Sequence, residues 1–203
     1  MPLDNTMEYK ELIDLMRRNR SYRRFDQSYR VTPGELDRII EAVRYCASGR
    51  NMQPLKYREV EEPAETAAVF PLLAWAGYLK DWSGPEEGER PTAYLVQCLD
   101  RNLAQDCICD DGLQLEALTL AAVSLGLGCC IIKSFDRAGL VRALGLPANL
   151  EPLYVLAIGR PVEEVEIEDM SDGDVRYYRT PDAVHHVPKR ALSELIVRGH
   201  NPE

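Results

Sequence analysis

The chain has 203 residues, of which 45 % are hydrophobic and 28 % charged, and a formal net charge of −9. That length suffices for one domain with a real hydrophobic core, and the negative field repels phosphate polymers and anionic lipid, which sets aside general nucleic-acid and membrane-surface binding. Nor is there an apolar run of about 18 residues to span a bilayer. Residues 1–10 carry no apolar leader, so the expected compartment is the cytoplasm. There Cys46, Cys98, Cys107, Cys109, Cys129 and Cys130 are expected to be reduced.

Residues 8–19 place Leu12, Ile13, Leu15 and Met16 on one stripe, the pattern of an amphipathic helix. A basic, aromatic stretch from Arg17 to Phe25 follows. Thr32-Pro33-Gly34-Glu35 then signals a helix start: a hydroxyl cap, proline at the first helical position and a glutamate that completes a capping box. Leu36, Ile39, Ile40 and Val43 supply the apolar stripe of the helix it opens. Residues 47–54 read as a polar loop, 55–60 as a strand, and 65–80 as a helix carrying Trp75 and Tyr78. Residues 83–91 are a turn-rich break and 92–99 a central strand.

Residues 107–126 form a long helix, apolar on most faces from Leu113 onward, which assigns it to the core or to a subunit interface. Gly126 and Gly128 end it. Residues 129–132 are a short buried strand, Asp136 caps a helix ending at Leu144-Gly145, and 153–158 is a further strand closed by Gly159-Arg160-Pro161. The acidic segment 163–174 reads as solvated or loop-like, and 188–198 as a short closing helix. Helices and strands mix without strict alternation, so the expected class is α+β with an antiparallel-rich sheet.

Three polar constellations can carry chemistry. Arg20-Ser21-Tyr22-Arg23-Arg24-Phe25 puts three guanidiniums and a hydroxyl within five residues. The guanidinium fork suits phosphate, although a solvated basic helix end has the same composition. Ser48-Gly49-Arg50-Asn51-Met52-Gln53-Pro54 presents hydroxyl and amide groups, which can serve a heterocycle or simply a polar loop. Gly126-Leu127-Gly128, with the strand leading to Lys133-Ser134, can bring backbone close to a ligand or merely cap a helix. The glycines form neither a P-loop nor a dinucleotide fingerprint. Cys107-x-Cys109, Cys129-Cys130 and His185-His186 lack metal-ligand spacing, so no metal is expected. No nucleophile elbow is present. Trp75 and Tyr78 fit core positions or a ligand-stacking role.

Taken in order, these motifs resemble the nitroreductase family. They are R-S-x-R-x-F at Arg20, Ser21, Arg23 and Phe25, and S-x-x-N-x-Q-P at Ser48, Asn51, Gln53 and Pro54. Then come D-x-G at Asp110 and Gly112, running to Leu120-Ala121-Ala122 and Gly126-Leu127-Gly128, and A-x-G-x-P at Ala157, Gly159 and Pro161. Trp75-Ala76-Gly77-Tyr78, Glu89-Arg90-Pro91 and His186-Val187-Pro188-Lys189-Arg190 look like a small-chain branch of that family. The resemblance implies one nitroreductase-like domain over 1–203, its core at about 9–198, with a central antiparallel-rich mixed sheet flanked by helices. It implies a homodimer with flavin sites at the subunit interface.

It also implies FMN, reduced by NADH or NADPH, passing hydride through flavin N5 to a small acceptor such as a nitroaromatic or quinone in ping-pong turnover. No protein side chain is then catalytic in its own right. Arg20 and Ser21 would bind the phosphate and ribityl end, and Arg23 would tune the pyrimidine edge. Ser48, Gly49, Asn51 and Gln53 would come from the loop that reaches the other subunit's flavin. Lys133 and Ser134 would face the N5 edge, and Lys189 and Arg190 would contact phosphate. The chain departs from the family's pattern at Asn19, Ala47, Leu55 and Lys133-Ser134, which leaves the acceptor open. Dehalogenation, flavin consumption and a non-catalytic flavin-binding module remain alternatives.

Overall fold

The computed structural model describes residues 8–199. Two compact units divide the chain. The larger takes in the described residues up to Trp75 and Ser83–Val162; the smaller takes in Ala76–Trp82 and the described residues from Glu163 onward.

In the larger unit, α1 (Tyr9–Arg18) starts where the Glu11 carboxylate accepts from the Glu8 amide. No α1 residue is fully buried, and Tyr9, Leu12 and Met16 are exposed. The next helix, α2 (Pro33–Glu41), begins as its sequence predicts: the Thr32 hydroxyl accepts from the Glu35 amide, and the Glu35 carboxylate accepts from the Thr32 amide. Its apolar stripe buries Leu36 and Ile39, where truncation to alanine costs about 2–5 kcal/mol.

After β1 (Leu55–Val60) the chain departs from expectation. The helix expected over 65–80 is α3 (Pro63–Val69), prolonged only by a 3-10 turn at Phe70–Leu72. Pro71 brings no amide donor, and tertiary pairing takes over beyond it. Leu73 bridges Phe135, and the Ala74 amide donates to the Ser134 carbonyl at 2.9 Å. The apolar residues Leu73 and Trp75 are buried from an extended stretch rather than from a helix face.

The centre of the unit is β2 (Ala93–Asp100), buried at every residue from Ala93 to Leu99. It is followed by α4 (Asp110–Ser124), β3 (Gly128–Ile132), α5 (Arg137–Leu144) and β4 (Leu150–Gly159). Asp136 caps α5 by accepting from the Gly139 amide, and Gly145 closes it in the left-handed conformation at φ 58. The strands form an antiparallel sheet of order β1-β2-β4-β3. Leu36 and Ile39 of α2 and Leu115, Leu118 and Ala122 of α4 pack with Leu95, Leu156 and Ile158 of the sheet into one core.

In the smaller unit, β5 (Val165–Asp169), β6 (Tyr178–Arg179) and β7 (His185–Lys189) form a sheet of order β5-β7-β6, with β5 parallel and β6 antiparallel to β7. The acidic segment expected to be loop therefore contains a strand: Val165 and Ile167 alternate with acidic residues, and the backbone pairs with β7. The closing helix is a single turn, α6 (Leu192–Leu195), because the residues through Lys189 complete β7. These strands and the larger sheet make up an α+β chain with antiparallel pairing dominant.

Candidate functional site

The arginine-serine segment crosses the end of the larger sheet where β3 begins and β4 finishes. Ser21 bridges Cys129, the Tyr22 amide donates to the Cys129 carbonyl at 2.9 Å, and Phe25 bridges Pro161. Two glycines make the crossing possible. A Cβ at Gly128 would lie 2.6 Å from the Tyr22 ring, and one at Gly159 would lie 2.9 Å from the Phe25 ring. Gly128 thus admits a side chain of its own chain.

This anchoring separates guanidiniums that look alike in the sequence. Arg24 is held in a fork by Glu89, with both nitrogen–oxygen distances 2.6 Å, so it ties the segment to the chain preceding β2. Arg23 is 8 % exposed, and its Nη1 donates to the Ser21 carbonyl at 3.0 Å. Arg20 is half-buried; its Nη2 donates to the Met16 carbonyl at 2.9 Å, while its Nε is buried and meets no acceptor. Burial pulls the Arg20 pKa down, opposed by the charges of Tyr22 and Glu116. Ser21 is exposed beside it. Asn19 donates to Thr119 at 2.8 Å and Glu116 at 3.1 Å, fastening the end of α1 to α4.

Lys133 and Ser134 follow the far end of β3 and are exposed. Lys133 lies four residue steps along the chain from Cys129, roughly 13 Å of extended chain. Lys133 Nζ lies 5.2 Å from the centre of the Tyr154 ring, and the Ser134 carbonyl receives the Ala74 amide.

The polar loop is organised by a residue to which the sequence alone assigned no role. Asp110 opens α4 and is buried; it accepts from the Ser48 hydroxyl at 2.5 Å and from the Gly49 amide at 2.9 Å. The Ser48 oxygen in turn accepts from the Gln53 amide at 2.9 Å, and Gln53 Nε2 donates to Asn51 Oδ1 at 3.1 Å. A Cβ at Gly49 would meet Ile108 at 2.5 Å. Three non-glycine residues of the loop, Arg50, Asn51 and Gln53, adopt φ of 53°, 56° and 49°. Ser48 and Gly49 are thus engaged within this chain, while Asn51 and Gln53 are exposed. The visible signal for Asp110 was an acid at a helix start, where the helix dipole favours it.

Asn19 meets α4 at Thr119 and Ser48 meets it at Asp110, nine residues apart, so the arginine segment and the polar loop sit about 14 Å apart along the helix axis. Lys189 and Arg190 belong to the smaller unit and are exposed. The Lys189 carbonyl accepts from the Met170 amide, and Arg190 pairs with Glu194 at 3.0 Å.

Of the other candidates, Trp75 and His185 are packed in the interior and Tyr78 is exposed. Trp75 is buried against Phe70, with ring centres 5.9 Å apart, and a Cβ at Gly84 would meet its ring at 2.7 Å. Tyr78 packs edge-on against Tyr177 at 5.0 Å. His185 is fully buried, with Tyr177 at 5.2 Å, and its Nδ1 lies 4.0 Å from Glu163, which receives Arg179 at 2.5 Å. All six cysteines are free. Among the described residues no group of three or more His, Cys, Asp or Glu is placed to hold a metal ion, and no helix is long and apolar enough to cross a membrane.

Residues 16–93 and 108–160 match the family model of the nitroreductase family, more than half of the chain, and the chain belongs to that family. It is similar to a protein of Methanothermobacter thermautotrophicus provisionally named NADH dehydrogenase/NAD(P)H nitroreductase, at 25 % identity over 184 residues, covering 85 % of this chain and 88 % of the relative. Among solved structures it shares its fold with a nitroreductase family protein from Streptococcus pneumoniae, at a TM-score of 0.65 and 18 % identity over 93 % of this chain and 100 % of that one. An NADPH:FMN oxidoreductase from Vibrio harveyi, solved in complex with NAD+, also shares the fold, with a TM-score of 0.59 and 22 % identity over 80 % and 74 % of the two chains.

Proposed function

We propose that the chain is an FMN-dependent oxidoreductase that takes hydride from NADH or NADPH and delivers it to a small oxidised acceptor such as a nitroaromatic compound or a quinone. The observation that carries this reading is Arg20. Its guanidinium is half-buried with an Nε that faces no acceptor of the chain, and the Ser21 hydroxyl stands exposed next to it. A fixed fork and a neutral donor, held against β3, fit a phosphate monoester. Arg24, matched to Glu89, offers no such capacity. The donor set therefore fits FMN.

In this reading Arg20 and Ser21 hold the phosphate and ribityl end. Arg23 supplies a buried positive charge that favours the negatively charged reduced ring. Lys133 and Ser134 border the reacting edge. FMN, when bound, supplies hydride-transfer chemistry that no side chain of the chain possesses. Donor and acceptor use the same exposed face in turn.

The functional unit in this reading is a homodimer in which Ser48, Gly49, Asn51 and Gln53 serve the partner copy's flavin. The 14 Å gap along α4 between the two polar clusters supports a site completed by a second chain. So does the apolar collar around the loop. Ile108 touches the Gly49 position, the Cys46 thiol lies against the Leu113 carbonyl, and Tyr45, Met52, Ile108 and Leu113 are all exposed. The reading is tested by anaerobic mixing of the FMN-loaded protein with NADH and with NADPH. Bleaching of the flavin band by either, followed by recovery on adding a nitroarene or quinone, is the expected result. A bound flavin that neither nicotinamide reduces would leave a non-catalytic flavin-binding module instead.

A further inference from the structure

The larger unit contains a second cluster of cationic and hydrogen-bonding groups, next to the arginine-serine segment: Gln27 lies two residues beyond Phe25, and Arg90 follows Glu89, the partner of Arg24. A cavity of about 130 Å³ opens between α3 and the chain entering β2, lined by Gln27, Arg30, Thr66, Phe70, Arg90 and Tyr94 among others. Two guanidiniums border it and no carboxylate does. Tyr94 is fully buried, yet its hydroxyl has no hydrogen-bond partner. Arg90 Nε is buried and likewise without an acceptor. Tyr94 and Arg90, which carry these orphaned groups, are both among the residues lining the cavity, although buried polar groups are otherwise nearly always paired.

The surrounding contacts fix the donors in place. The Arg90 guanidinium lies over the Phe70 ring, 4.4 Å from its centre. The Gln27 side-chain oxygen already accepts from the Gly88 amide at 2.7 Å and the Arg90 amide at 3.2 Å, so the remaining hydrogen-bonding capacity of its amide lies mainly in the NH2. Arg30 reaches the Glu61 carbonyl and is exposed at the cavity's edge. The Thr66 hydroxyl donates to the Pro63 carbonyl. Water could satisfy the Tyr94 hydroxyl and the Arg90 Nε–H, but it would leave the half-buried Arg90 guanidinium without a counter-charge. An anion does both.

We propose that this cavity is a binding site for one small tetrahedral oxyanion of the phosphate type, held by Arg90 and Tyr94 with Arg30 at the entrance. The volume accommodates an inorganic oxyanion, and neither Arg20 nor Ser21 is among the lining residues. The site is therefore independent of the FMN reading and of Arg20.

The test titrates inorganic phosphate into the FMN-saturated protein at constant ionic strength, followed by isothermal calorimetry and by thermal shift. Chloride serves as the ionic control and a phosphate monoester as the second arm. Phosphate should bind and raise the melting temperature where chloride does not. Arg90→Gln and Tyr94→Phe should each weaken binding about tenfold, the scale of one charged hydrogen bond. Arg20→Ala, titrated without flavin, should retain the site, so failure of the FMN reading does not touch this result. Tyr94→Phe preserves the ring and so keeps the fold. Equal binding of free phosphate and monoester would point to an anion presented on a larger molecule as an equally good occupant; selective binding of free phosphate would confine the site to the inorganic ion. No binding by the parent protein, an effect matched by chloride, or binding unchanged in both cavity variants would overturn the proposal.

Discussion

Replacing Asp110 with alanine probes how the polar loop keeps its shape. Asp110 is 1 % exposed and accepts from the Ser48 hydroxyl at 2.5 Å and the Gly49 amide at 2.9 Å. A hydrogen bond to a charged acceptor contributes about 1.5–3 kcal/mol, so the pair favours the closed loop by roughly 3–6 kcal/mol. Against it stands backbone strain at Arg50, Asn51 and Gln53, whose φ values are 53°, 56° and 49°. Left-handed backbone costs about 1–2 kcal/mol per residue, and asparagine tolerates it best, so the strain totals roughly 2–5 kcal/mol. The two quantities nearly balance. Removing the carboxylate therefore opens the loop, and the strain released offsets part of the lost bonding. Global stability by urea denaturation should fall by only about 1–3 kcal/mol. Hydrogen exchange at the Gly49 and Gln53 amides should accelerate about 100-fold or more. Native-like protection of both amides in the folded variant would refute the clamp.

Other expectations follow from the same geometry. Arg23→Ala should lower the midpoint potential of bound flavin in spectroelectrochemical titration, because a buried cation favours the reduced, negative ring; an unchanged potential removes Arg23 from that role. Gly128→Ala places a Cβ 2.6 Å from the Tyr22 ring and 3.2 Å from Pro161. It should destabilise the chain by about 1–3 kcal/mol in urea, and a neutral result would mean that the arginine-serine segment is not pinned to β3. Burial pushes the Cys98 thiol from its ordinary 9.0 up to about 12. The unfolded thiol then ionises while the folded one keeps its proton, so stability is full below about pH 9 and declines toward pH 12, by at most about 1.4 kcal/mol per pH unit. Cys98→Ala should flatten that decline in melting curves measured at successive pH values; an identical slope would assign it to other groups.

Much of the fold was legible where a local device suffices. The Thr32–Glu35 capping box, the Asp136 cap and the apolar run of β2 each specify their element from neighbouring residues, and each forms. The misread stretches are those that distant partners decide. Residues 73–75 look helical in isolation, yet Leu73 and Ala74 pair with a segment some 60 residues away. The segment 163–174 looks solvated, yet its backbone finds β7. The candidate site shows the same division. The arginine cluster was visible, but Arg24 could not be told from Arg20 because its partner Glu89 lies 65 residues on. The loop amides were visible, but the Asp110 that holds them lies 62 residues from Ser48.

The most direct test is a fluorescence titration of FMN into the purified protein and its Arg20→Ala variant at matched salt. The account predicts a yellow complex that saturates at one FMN per chain in the parent, with affinity reduced by about 1.5–3 kcal/mol in the variant. A colourless protein that takes up no FMN, or equal affinity in the two proteins, would contradict it.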